Sequence, residues 1–245
     1  MDPSAALLTA VRACHDRARS RGSPAFLLCA PLGPASDVGG WLPLLDDHEQ
    51  RRCMALRDPR HAHVYAASHA LLRCVLAAVL DRGPQRIAYA RDGRGKPRLA
   101  DGCGVDFNLS HTRGMCLVGV RAQGRIGVDV EYVDPLHPLL ARAARLRAPG
   151  EAPITPARQH VDAHARAVFA SWVRKEALLK SDGRGLAQGS PRDLCLVRDA
   201  GGAWRDPRED AVVYDLGVSA RHRAAVSLMP PARAPLLWRL PVAPG

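Results

Sequence analysis

Apolar and polar positions alternate most regularly over Arg125–Tyr132. Ile126, Val128, Val130 and Tyr132 fall on one face of a predicted strand, and Gly127, Asp129 and Glu131 on the other. Helical periodicity predicts helices over 4–20, 42–57 and 60–80. The second is opened by Asp46 or Asp47 and broken at Asp58-Pro59, and the third stops at Gly83-Pro84. Short apolar runs predict strands at 25–30 and 86–90. A further strand, 105–114, runs into a loop bearing Ser110, His111, Thr112 and Arg113. Met115–Arg121 is expected to turn at Gln123-Gly124 and pair with 125–133 as a hairpin, bringing His111 and Asp129 into one neighbourhood. The Pro- and Arg-rich stretch 134–158 has no clear period and predicts a loop with a short helix. A helix from about His160 to Lys180 follows, then strands near 193–198, 211–215, 224–229 and 236–240. A helix followed by Asp-Gly-Arg-Gly occurs at 60–95 and again at 160–185, which hints at two similar halves.

The alternation at 125–132 has a chemical consequence. Carboxylates at i and i+2 point the same way, about 7 Å apart on a strand rising about 3.3 Å per residue. Two anions so close repel, and a cation offsets that cost. Oxygen ligands on a rigid strand suit a hard divalent ion such as Mg²⁺, and the small Gly127 beside them leaves room for something to approach. The plainer alternative is a strand whose acidic residues face water. In the helix ending at Lys180, an apolar stripe runs through Ala165, Val168, Phe169, Trp172, Val173 and Leu179. Glu176 lies at its centre and Lys180 at its edge. A core-facing carboxylate is costly unless paired or metal-bound; a Glu176–Lys180 pair on a solvated face is the alternative. His160 with His164, and His61 with His63, read as surface pairs rather than metal sites.

Composition narrows the classes. With 245 residues and 47% hydrophobic content, the chain suffices for one large globular domain or two small ones. Arg73 interrupts the longest apolar run, and the N-terminus lacks a leader pattern, so a cytoplasmic protein is expected. Seven cysteines without a C-x-x-C pair argue against a disulfide framework or a zinc site. The net charge of +11 suits nucleic acid, an acidic protein or a polyanionic small molecule, but 4% aromatic content disfavours a base-stacking platform. Of 35 basic residues only Lys96, Lys175 and Lys180 are lysine, and the one asparagine is Asn108. Such sparing use suggests that these positions need a compact ammonium. The turn "GRGKP" around Lys96 lacks P-loop spacing.

In this order, "GKP", "FNLSH", "IGVDVE" and "WVRKEALLK" followed by G-x-GL resemble the surfactin-synthetase type of 4′-phosphopantetheinyl transferase. The likeness runs from about Trp41 through "YAASHALLR" to the last strands. It implies an α/β (α+β) fold of two pseudo-symmetric halves, each a small, mostly antiparallel sheet packed with a long helix, with the active site in the cleft between them. Residues 1–124 would bind the adenosine and phosphates of coenzyme A, and 125–245 would bind metal and catalyse. The resemblance further implies that Asp129, Glu131 and Glu176 hold Mg²⁺, or Mn²⁺ in its place, on the coenzyme A pyrophosphate. Lys96, Pro97, Ser110, His111 and Lys180 would hold the nucleotide and phosphates, with Lys175 assisting. Arg60, thirteen residues before Arg73, would contact the 3′-phosphate, and His69 stands where relatives often carry arginine. The stretch 134–158 corresponds to the carrier-docking region.

The implied reaction moves phosphopantetheine to a serine of an apo acyl or peptidyl carrier protein and releases adenosine 3′,5′-bisphosphate. Glu176 or a metal-bound water would be the base, and Lys180 would orient or protonate. A monomer is expected. The competing readings are a basic nucleic-acid-binding protein and a catalytically inactive relative that binds coenzyme A.

Overall fold

The computed structural model describes residues 3–33, 38–154, 161–229 and 233–240. His160 and the end of the 134–158 stretch lie outside the described residues. Helix α1 (Pro3–Ser20) leads to β1 (Phe26–Pro31). The apolar run of β1 is continuous because both its faces are covered: Phe26 and Leu28 pack toward the helices, Leu27 and Cys29 toward a second sheet. The expected 42–57 helix is divided. Leu42–Leu44 is a single 3-10 turn, and α2 (Asp47–Met54) begins at a capping box in which Asp46 accepts from the Glu49 amide and Glu49 from the Asp46 amide. Helix α3 (Pro59–Leu80) starts with Asp58 as its cap and Pro59 in its first turn.

Strands β2 (Tyr89–Arg91) and β3 (Pro97–Leu99) form a small hairpin around the "DGRGK" turn. The strand expected at 86–90 starts late because Pro84–Arg86 coils into a 3-10 turn. Next come β4 (Asp106–Thr112), β5 (Met115–Arg121) and β6 (Ile126–Tyr132). Ser110, His111 and Thr112 belong to β4, not to a loop, since pairing with β5 continues to Thr112 opposite Met115. Helix α4 (Val161–Ser181) is followed by β7 (Val197–Arg198), β8 (Trp204–Arg205), β9 (Val212–Leu216), β10 (His222–Leu228) and β11 (Leu237–Arg239).

One sheet has the order β11-β1-β5-β4 and the other β6-β10-β9-β8-β7. The expected β5–β6 hairpin does not form. β5 is flanked by β1 and β4, and β6 pairs antiparallel with β10. The chain instead crosses from one sheet to the next at 122–125, and the two sheets stack. A Cβ on Gly119 of β5 would stand 2.7 Å from Val128 and 2.8 Å from Ile126, so glycine there lets the sheets approach. The layers are α1 and α3, first sheet, second sheet, α4.

Each half uses the same plan: a strand, a long helix, then a hairpin whose second strand pairs with the first. The result is β1-β5-β4 in one half and β6-β10-β9 in the other. This is the two-lobed, pseudo-symmetric α/β architecture. Strand β11 departs from it, leaving the second half to lie parallel to β1, and β8 and β7 extend the second sheet beyond β9. Helix α3 is long and apolar enough to cross a membrane by length and composition, but 67% of that window is buried within the protein. Arg73 sits fully buried in it. All seven cysteines are free, and Cys14, Cys29, Cys53, Cys74 and Cys116 are buried.

Candidate active site

The face of β6 that carries Gly127, Asp129 and Glu131 looks onto α4. A Cβ on Gly127 would lie 2.0 Å from the Ala177 carbonyl oxygen and 2.4 Å from the Ser181 amide, so what this glycine admits is the helix itself. That close approach brings Glu176 and Lys180, one turn apart on α4, over the two strand carboxylates. The Lys180 ammonium is 2.6 Å from Asp129 Oδ1. The Ser110 hydroxyl donates to the same oxygen at 2.8 Å and lies 3.4 Å from Lys180 Nζ. Thr112 Oγ1 donates to Glu131 Oε2 at 3.0 Å. Asp129 and Glu176 are buried, and one oxygen of each, Asp129 Oδ2 and Glu176 Oε1, has no hydrogen-bond partner.

These groups feel one another. Loss of solvent, opposed by Lys180 but reinforced by Asp129 and Glu131, pushes the Glu176 carboxyl up to about 7. Glu131 is raised for the same first reason, with the Asp129 charge adding to it. Among the described residues, no three His, Cys, Asp or Glu side chains are already gathered as a metal cage. The donor set nonetheless fits a hard cation: three mutually repelling carboxylates on two rigid elements, two of them with orphaned oxygens.

On the first lobe, α2, α3 and β4 enclose a pocket of about 560 Å³. Tyr65 and His69 stack within it at 4.1 Å between ring centres, and Arg52, Arg91, Pro97 and His111 also line it. His69 Nδ1 is 2.8 Å from Glu49 Oε1, and Arg73 bonds Glu49 and Asp46 from beneath. Loss of solvent, and after it the charges of His69 in the pocket and Lys180 beside the carboxylates, lowers the His111 imidazole from its usual range.

The residues singled out by sequence thus separate into two groups. Asp129, Glu131, Glu176, Lys180 and Ser110 converge, and Pro97 and His111 line the adjoining pocket. Three others do not join them. Arg60 is exposed and folds back on its own cap residue, Asp58, at 3.2 and 3.0 Å. Lys96 spends its ammonium on Asp106 Oδ2 at 2.6 Å, Ile126 O at 2.9 Å and Ser181 O at 3.1 Å. Lys175, fully buried, donates to Leu146 O and Glu151 Oε2, both at 2.6 Å, and so anchors the 146–151 segment on the far side of α4. A buried ammonium needs such acceptors, and the ones that satisfy these two lysines are protein oxygens. Sequence reasoning named Thr112 among the donors after Asn108 without pairing it with Glu131, and passed over Arg52 and Tyr65. Thr112 follows the "SH" pair directly, whereas the other two carry no motif and meet only because α2 and α3 pack together.

A fold of two repeated α/β lobes with an acidic cluster between strand and helix defines the class. The profile described as "4′-phosphopantetheinyl transferase superfamily" matches residues 125–213, the stretch that carries the cluster. The 4′-phosphopantetheinyl transferase HetI of a Nostoc species is 31% identical over 168 residues, which cover 67% of this chain and 70% of that protein. The 4′-phosphopantetheinyl transferase psf-1 of Bacillus pumilus is 28% identical over 169 residues, 67% of this chain and 70% of its own. The 4′-phosphopantetheinyl transferase Sfp of Bacillus subtilis is 24% identical over 158 residues, 64% and 68% respectively. The chain belongs to the 4′-phosphopantetheinyl transferase superfamily.

Proposed function

We propose that the protein, acting as a surfactin-synthetase-type member of its superfamily, transfers the 4′-phosphopantetheine arm of coenzyme A to a serine of an apo acyl or peptidyl carrier protein. The observation that carries this reading is the meeting of Asp129, Glu131 and Glu176 beside Lys180, next to a pocket of nucleoside size. The three carboxylates would hold Mg²⁺, or Mn²⁺ in its place, with the coenzyme A pyrophosphate; once bound, the ion supplies positive charge to the phosphate oxygens.

In this reading the first half, 1–124, takes the nucleotide. The adenosine lies among Tyr65, Pro97 and His111, with Arg52 and Arg91 at hand for its phosphates. Ser110 and Lys180 face the pyrophosphate. Lys96 acts through the turn that its ammonium anchors. The second half, 125–245, carries the chemistry. Glu176 takes the proton of the carrier serine. The serine oxygen bonds to the β-phosphorus, the bond from that phosphorus to adenosine 3′,5′-bisphosphate breaks, and Lys180 steadies charge on the departing oxygen. A net charge of +11 suits encounter with an acidic carrier. The protein works as a monomer in the cytoplasm.

The deciding experiment incubates the protein with Mg²⁺, coenzyme A and an apo carrier and weighs the carrier. A gain of one phosphopantetheine arm is the expected result. Coenzyme A binding without transfer would mean an inactive relative. A salt-sensitive shift of nucleic acid, with no coenzyme A effect, would mean a nucleic-acid binder.

A further inference from the structure

Strand β6 is at the edge of its sheet, and β4 is at the edge of the other. Pairing with β10 uses one side of β6, so the amides of Ile126, Val128, Val130 and Tyr132 point away from their own sheet. Unpaired edge amides must find acceptors. Each finds a side chain of β4, always at the same offset of 20 residues. Asp106 Oδ2 accepts from Ile126 at 2.8 Å and Asn108 Oδ1 from Val128 at 2.8 Å. Ser110 Oγ accepts from Val130 at 3.3 Å and Thr112 Oγ1 from Tyr132 at 3.2 Å. Alternate side chains of one strand thus replace the main chain of a missing neighbour. Direct pairing would set the strands about 4.8 Å apart; interposed side chains hold them wider while keeping register.

Two of the four rungs do more. The hydroxyls of Ser110 and Thr112 accept from β6 and pass their own hydrogens to the carboxylates of Asp129 and Glu131. From this we infer that Thr112 is a positioning residue. Its hydroxyl, fixed by the Tyr132 amide, orients Glu131 for the ion, and the ladder sets the metal-binding strand of one lobe against the nucleotide pocket of the other. The inference rests on the reading that Asp129, Glu131 and Glu176 hold the ion.

The test measures Mg²⁺ affinity of the coenzyme-A-free protein by calorimetry, alongside its melting temperature, for wild type, Thr112→Val, Thr112→Ser and Asp129→Asn. Thr112→Val keeps the shape of the side chain and removes both hydrogen bonds; Thr112→Ser keeps them. Losing an oriented outer partner costs about tenfold or more in metal affinity. We therefore expect Thr112→Val to bind Mg²⁺ at least tenfold more weakly and Thr112→Ser to stay within twofold of wild type. Wild-type affinity in Thr112→Val would overturn the inference. So would an equal loss in Thr112→Ser; should Thr112→Val not fold, Thr112→Ala, which also lacks the hydroxyl, takes its place with the same expected loss. Undiminished Mg²⁺ binding by Asp129→Asn would instead strike the metal reading itself.

Discussion

The contact between Gly127 and α4 makes the sharpest prediction, because one methyl group tests fold and site together. In Gly127→Ala the new carbon meets two backbone atoms of α4, 2.0 Å from the Ala177 oxygen and 2.4 Å from the Ser181 nitrogen. Backbone in a helix cannot swing aside as a side-chain tip can. To reach an ordinary carbon–oxygen contact of about 3.3 Å, α4 must lift from β6 by roughly 1.3 Å. Overpacking of this kind costs about 1–3 kcal/mol, and the upper end is expected because the obstacle is main chain. The same shift stretches the 2.6 Å Lys180–Asp129 pair and withdraws Glu176 from the strand carboxylates. A displacement near 1 Å at a reacting centre costs about 10²-fold in rate. The assay is a urea melt paired with turnover of coenzyme A and apo carrier by the folded fraction. Gly119→Ala is the control: its contacts, at 2.7 and 2.8 Å, are with the tips of Val128 and Ile126 in the core between the sheets, so it should lose stability with a smaller loss of turnover. Near-normal stability and turnover in Gly127→Ala would refute the argument that this glycine sets the spacing of the site.

The folded Glu176 carboxyl keeps its proton to about pH 7, where the unfolded chain has already lost it. The contribution of Glu176 to the stability of metal-free protein is therefore full below about pH 4.5 and is lost as pH rises to about 7, by at most about 3 kcal/mol. Urea midpoints in EDTA from pH 5 to 8 should show that slope, and Glu176→Gln should flatten it; an unchanged slope would exclude Glu176 as its source. Arg73→Met strands Glu49 and Asp46 beneath the pocket, so a loss of about 3–5 kcal/mol is expected in thermal or urea unfolding. If encounter with an acidic carrier is steered by the +11 charge, raising salt from 50 to 500 mM should lower kcat/KM for the carrier and leave kcat nearly unchanged; a flat kcat/KM would argue against steering.

Much of this was legible along the chain. Period-two alternation marked β6, and the apolar stripe of α4 put Glu176 inward, where it is buried. Asp46 or Asp47 marked the start of α2, and the 60–80 helix matches α3 to within a residue, although 42–57 as a whole is not one helix. Pairing was not legible. A short polar turn between two apolar strands reads as a hairpin, and nothing local says that β5 already has partners on both edges while β6 belongs to another sheet. Asp106, Asn108, Ser110 and Thr112 alternate along β4, yet that their partners lie 20 residues on follows only from the placement of two sheets. Arg60 was matched by spacing along α3, and spacing does not say that Asp58 will claim its guanidinium.

The three lysines show how a sound chemical premise can leave the partner open. Their rarity implied a need for compact ammonium groups, and each is indeed used as one. Lys96 joins the β2–β3 turn to β4, to the start of β6 and to the end of α4. Lys175 joins α4 to the 146–151 segment, and Lys180 joins α4 to β6 and β4. An ammonium can direct three donors at acceptors arrayed around a point, whereas a guanidinium spreads its donors in a plane and needs more room. At each of these crossings one ammonium serves several oxygens; the buried guanidinium of Arg73 plays the comparable part in the first lobe, where its donors reach Asp46, Glu49 and the Pro84 and Ile87 carbonyls. Two of the three are committed to protein oxygens. Lys180 differs: it is partly exposed, and its partners are a carboxylate and a hydroxyl of the acidic cluster. It alone can turn toward a phosphate without breaking a contact that the fold requires.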